Sequence, residues 1–141
     1  MNKRLIIVMS LLATMLMLGC SNNLTNPALE GSYESEMKNG YHIQFSFASD
    51  DKSFVAYINN IEINKGTYES LGYGKYALNG DVEKLEVELD KDDSFNLDMR
   101  KLSEKINEDK PIQLKNIDKT PTYFETVFSD EDKEAIQNLL K

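Results

Sequence analysis

From Gly31 onward, apolar residues fall at every second position. Tyr41, Ile43, Phe45 and Phe47 alternate with His42, Gln44, Ser46 and Ala48, the pattern of a strand with one buried face. Phe54, Ala56 and Ile58 repeat it, and Ile61 and Ile63 continue it. Leu85, Val87 and Leu89 oppose Lys84, Glu86 and Glu88, and Phe95, Leu97 and Met99 oppose Asn96, Asp98 and Arg100. Ile112 to Ile117, opened by Pro111, and Thr122 to Phe128 read as two further strands. The charged stretch from Arg100 to Lys110 has Leu102 and Ile106 four apart, which suits a short helix or a loop equally.

Turn signals separate these runs. Asn39-Gly40 and Asn79-Gly80 predict two-residue hairpin turns, because a type I′ turn needs positive φ at both central residues. Asp50-Asp51, Asn59-Asn60, Leu71-Gly72 and Asp90 to Asp93 mark other reversals. A spacing of about ten residues between turns predicts an antiparallel meander. Near the C-terminus, Ser129-Asp130-Glu131-Asp132 is a helix start, with a capping hydroxyl followed by acids at the positive end of the helix dipole. Ala135, Ile136, Leu139 and Leu140 give that helix one apolar face. The fold class is therefore mainly β: eight or nine antiparallel strands and a C-terminal α-helix. Closing the sheet into a small barrel would remove its aggregation-prone edges.

That layout resembles a lipocalin-like (calycin) barrel over residues 31–128. Gly31-Ser32-Tyr33 stands where lipocalins carry a Gly-x-Trp that closes the barrel base. The resemblance implies a domain that holds a ligand.

The first twenty residues have a different character. Lys3 and Arg4 precede an apolar stretch from Leu5 to Leu18, broken only by Ser10 and Thr14. This is short of the ~20 apolar residues that a spanning helix requires and fits the h-region of a signal peptide. Leu16-Met17-Leu18-Gly19-Cys20 then resembles the lipobox of bacterial lipoproteins, with Gly19 before the cleavage point and Cys20 after it. The resemblance implies export, cleavage between Gly19 and Cys20, and acyl chains on Cys20 that hold the protein at the cell membrane on its extracytoplasmic face. Two or more chains anchor stably where one does not. Residues 20–30 then read as a lipidated tether with a reach of roughly 17 Å, and residues 31–141 as a single domain.

Composition narrows the partners. The chain has 24 acidic and 16 basic residues, a formal charge of −8, and loss of Lys3 and Arg4 moves this to about −10. Such a surface lacks the main attraction for a phosphate backbone, so no nucleic-acid partner is expected. Cys20 is the only cysteine, which excludes an internal disulfide.

Candidate chemistry is sparse. His42 is the only histidine, reads as a solvent-facing strand residue, and could not complete a zinc site or a nucleophile–base pair alone. Asp90 to Asn96 begins like a calcium loop, but Phe95 and Lys101 stand where the loop needs glycine and glutamate, so a hairpin turn is the expectation. Gly72-Tyr73-Gly74 lacks the lysine and the following helix of a phosphate cradle. Seven tyrosines could furnish a contact surface, with Tyr73, Tyr76 and Tyr123 as candidates near strand ends. No catalytic residue, metal or cofactor is expected.

Binding is therefore the expected function. One version is a small ligand or peptide held in a cavity lined by Phe45, Phe47, Leu85, Val87, Phe95 and Leu97. The other is a protein-interaction module that modulates an envelope sensor, transporter or toxin.

Overall fold

The computed structural model describes residues 26–106 and 110–141. Gly19, Cys20 and the whole signal segment lie outside the described residues. Eight strands are present: β1 (Gly31–Ser35), β2 (Ile43–Ala48), β3 (Ser53–Ile58), β4 (Ile61–Gly72), β5 (Lys75–Gly80), β6 (Lys84–Glu88), β7 (Ser94–Leu97) and β8 (Ile112–Asp118). Helix α1 (Arg100–Lys105) separates β7 from β8, and helix α2 (Asp130–Gln137) follows them.

Neighbouring strands run in the order β6-β5-β4-β3-β2-β1-β8-β7, all antiparallel. Because β8 pairs with β1, the meander curls into a nearly closed barrel whose one open seam lies between β6 and β7. A single bridge, Leu89 to Phe95, joins that seam. The barrel is compatible with the lipocalin-like layout.

Two of the hairpins use the turn chemistry read from sequence. Asn39-Gly40 and Asn59-Asn60 all have positive φ, as type I′ geometry requires. Two other turns shift. Asn79 and Gly80 lie inside β5, paired with Thr67 and Gly66, and the chain reverses at residues 81–83 instead. The Leu71-Gly72 signal is displaced to Tyr73-Gly74, because β4 runs on through a bulge at Ser70–Gly72.

The third difference is larger. Thr122 to Phe128 is not a strand. Beside it β1 already pairs with β2 and β8, so the sheet offers this segment no free edge at that place. The segment instead crosses the outside of the barrel as an extended strap. Ser32 Oγ accepts from Thr122 N (2.8 Å) and donates to Thr120 O, Ser46 Oγ donates to Thr122 O, and Phe124 packs edge-on to Tyr57 at 5.0 Å. Ser46, a polar position of the outer face, is thereby buried, and Gln44 nearby is buried with its amide donating to and accepting from Asn60 of the β3–β4 turn.

Both ends are plugged. At the base, Leu29 is 2% exposed: its N–H donates to Tyr76 Oη (3.3 Å) and its carbonyl accepts from Tyr68 Oη (3.0 Å). The packed domain thus takes in a residue of the expected tether. At the opposite end, Met99, Leu102 and Ile106 of the α1 region are buried, and Asn39 Nδ2 donates to Ile106 O. Ser129 caps α2 by accepting from Asp132 N (3.1 Å), and Ile136 carries that helix into the core.

Candidate functional site

The interior of the barrel is a solid aromatic core. The Phe47 ring lies within 5.3–6.2 Å of five others, those of Tyr33, Phe45, Phe54, Tyr68 and Phe95. Five of the six side chains named above as cavity lining, Phe45, Phe47, Val87, Phe95 and Leu97, are buried in this packing, and Leu85 packs against it half-buried. A gap touching Phe45 and Leu85 measures only ≈10 Å³, at the lower limit for a single water. An eight-stranded barrel is just wide enough for side chains to fill it, and here they do.

At the base, Tyr33 Oη donates to Asp93 Oδ1 at 2.6 Å, and Lys119 Nζ pairs with the other carboxylate oxygen. Burial, reinforced by the Asp93 carboxylate, pushes the Tyr33 phenol far up. Asp93 thus ties the first strand to the β6–β7 turn and to the chain just after β8. Its φ of 61° and the bond from its N–H to Asp90 O make this a hairpin turn, with its carboxylate bonded to Tyr33 and Lys119. Gly31 is needed in the same place: its φ is +87°, and a Cβ there would run into the Asp118 carbonyl.

The three candidate tyrosines share this end of the barrel but not one surface. Tyr76 is used internally, packing at 6.2 Å from Tyr68 and accepting from Leu29. Tyr73 is 97% exposed at the tip of the β4–β5 hairpin, with φ +55°. Tyr123 is half-exposed on the strap, and its phenol is raised by partial burial and by nearby Asp51 and Asp50. His42 is half-buried rather than solvent-facing, with Nε2 3.2 Å from Glu34 Oε2. Among the described residues no three His, Cys, Asp or Glu side chains cluster as metal ligands would.

Concavity lies elsewhere. Where the β6–β7 seam opens, away from the base, a groove of ≈570 Å³ is lined by Val82, Glu83, Asp98, Met99, Lys101, Leu102 and Leu140. Sequence reading missed it, because neither an unpaired strand edge nor the arrival of Leu140 beside it has a local pattern.

No family model matches this chain, and searches of curated proteins and of solved structures return no match either.

Proposed function

We propose that the protein is a non-catalytic, lipid-anchored protein of the cell envelope that works by binding a peptide or protein on its outer surface. The observation behind the choice of partner is the filled barrel. With the aromatic core at packing contact and a gap of ≈10 Å³, an enclosed small ligand has no space, so recognition falls to the exterior. The address rests on the lipobox-like Leu16 to Cys20, preceded by a basic and then an apolar segment. Tyr73 remains a contact candidate, because a bulky residue held at positive φ with nearly its whole surface in water contributes nothing to the core.

Two experiments test this reading. In fractionation, wild type partitions with membranes and Cys20→Ala does not; equal retention of both removes the anchor. Native mass spectrometry of the domain released from its own envelope gives the bare chain mass, with a protein partner recovered by cross-linking in place. A retained mass of a few hundred daltons would overturn the choice of a peptide or protein partner.

A further inference from the structure

We infer that the open seam between β6 and β7 is a strand-addition site for an extended peptide in which basic and apolar residues alternate. This rests on the binding role proposed above and names its site and partner class. The backbone supplies the first reason. Leu89 N–H bonds to Gly74 O, and Val87 and Leu85 lie opposite Tyr76 and Leu78. That register turns the backbone groups of Leu85, Val87 and Leu89 toward β5, and those of Lys84 and Glu86 toward the seam. There the ladder between β6 and β7 is reduced to the Leu89–Phe95 bridge near the base, so Lys84 and Glu86 have no ladder partner on that side, and Val82 and Glu83, which lead into this edge, line the groove. An incoming strand can bond to that edge as peptides do when they augment a sheet.

Side chains supply the occupant's chemistry. Met99, Leu102 and Leu140 form an apolar floor, and Val82, 70% exposed, stands at its mouth. Glu83 and Asp98 line it beside Lys101, and Glu86 and Lys84 stand on the adjoining edge strand; none of the three carboxylates has an ion pair among the described residues. A strand presents alternate side chains to opposite faces, so apolar residues would enter the floor while basic ones met the three carboxylates. A second copy of this chain would bring the same acidic edge, and like charges would oppose it.

The test uses the released domain and a nine-residue peptide alternating Lys and Val. Amide chemical shifts and hydrogen exchange are followed at Lys84 and Glu86, and affinity by fluorescence anisotropy. Expected are shifts centred on those amides, slowed exchange at Glu86, and binding that weakens with salt. A Glu/Val peptide should not bind, and methylating alternate peptide nitrogens should weaken binding about ten-fold or more, the loss of a hydrogen bond or two. Glu86→Pro deletes the edge donor while leaving the β5 ladder intact, since proline is tolerated on an edge. Its loss of binding should equal that of N-methylation. Glu83→Lys/Asp98→Lys gives a second variant that leaves the backbone alone, and it should weaken binding several-fold.

Shifts that map to Tyr73 or Tyr123, or indifference to N-methylation, overturn the seam site. Self-association of the domain through β6 would replace the peptide by a second copy and overturn the proposal too. If a cross-linked envelope partner survives Glu86→Pro undiminished, the binding role stands and the seam site falls. If neither peptide nor partner binds, both fall.

Discussion

Truncating Phe47 to alanine tests the claim that the barrel is filled. The side chain is 0% exposed and meets five aromatic rings at 5.3–6.2 Å. An aromatic side chain buries about 150–250 Å², which at about 25 cal/mol/Å² is worth roughly 4–6 kcal/mol of transfer free energy. Alanine keeps part of that, and the rigid neighbours close only part of the void, so the expected loss is about 3–5 kcal/mol. For a domain of about 110 residues, an unfolding entropy near 2.1 cal/mol/K per residue converts this to a fall in Tm of roughly 13–22 °C. Since such a domain has about 5–15 kcal/mol in total, the variant should fold but sit close to its limit.

The chain contains no tryptophan, so urea unfolding is followed by far-UV circular dichroism and tyrosine fluorescence. A further readout separates a void from general damage. A dry apolar cavity takes up benzene, and a ligand that binds only the native state stabilises it by linkage. Benzene should raise the midpoint of Phe47→Ala and leave wild type unchanged. A loss below about 1.5 kcal/mol, or benzene stabilisation of wild type, would mean that the ring already borders open space, and the argument for an external partner would fail with it.

Two further outcomes follow from the base. Tyr33→Phe removes a hydrogen bond to a carboxylate and should cost about 1.5–3 kcal/mol in urea unfolding, with strong coupling to Asp93→Asn in a double-mutant cycle; additive losses would show that the two groups act apart. At alkaline pH, burial pushes Tyr68 up to about 12 and Tyr33 higher still. Because the folded state favours the neutral phenols, the stability they confer is complete below the unfolded value near 10 and is lost as pH climbs through about 12. Absorbance at 295 nm should therefore show a late phenolate step coincident with loss of the β-sheet signal; ionisation of every tyrosine before that loss would contradict the burial.

The parts of the fold legible in sequence are those in which one local pattern has one outcome. Alternation from Tyr41 to Phe47 specifies a strand face, and Asn-Gly or Asn-Asn specifies a reversal, because few residues accept positive φ. The failures share a cause. Asn79-Gly80 carries the same turn signal, yet the register of β5 against β4 and β6 holds it in the sheet, and the reversal waits for Asp81. Thr122 to Phe128 is rich in aromatic and β-branched residues that favour strands, but propensity supplies no ladder partner, and the segment stays outside the sheet. Ser32 and Ser46 look like a solvated face until Thr120 and Thr122 arrive to cover it. In each case the deciding partner lies far away in sequence. The seam site is the extreme instance, since it consists of backbone groups that lack a neighbour.

The two ends of the barrel also differ in what they can meet. Leu29 enters at the base, the end that carries the Tyr73 hairpin and the Asp93 turn, whereas the groove opens beside α1 and Leu140 at the other end. Strands of five or six residues separate the ends by about 17–20 Å. If Cys20 carries the anchor proposed above, the base, where the chain enters at Leu29, would face the bilayer and the seam would be turned away from it. Tyr73, amphipathic and solvent-exposed, would then lie within reach of the headgroup region, where such side chains are favoured. Its exposed ring and the acidic seam would then serve separate purposes, one toward the lipid and one toward a basic segment of another protein. That division has a consequence for mutagenesis: Tyr73→Ser should leave peptide affinity at the seam unchanged while lowering retention of the lipidated protein on vesicles, and an equal effect on both would place the two functions at one end.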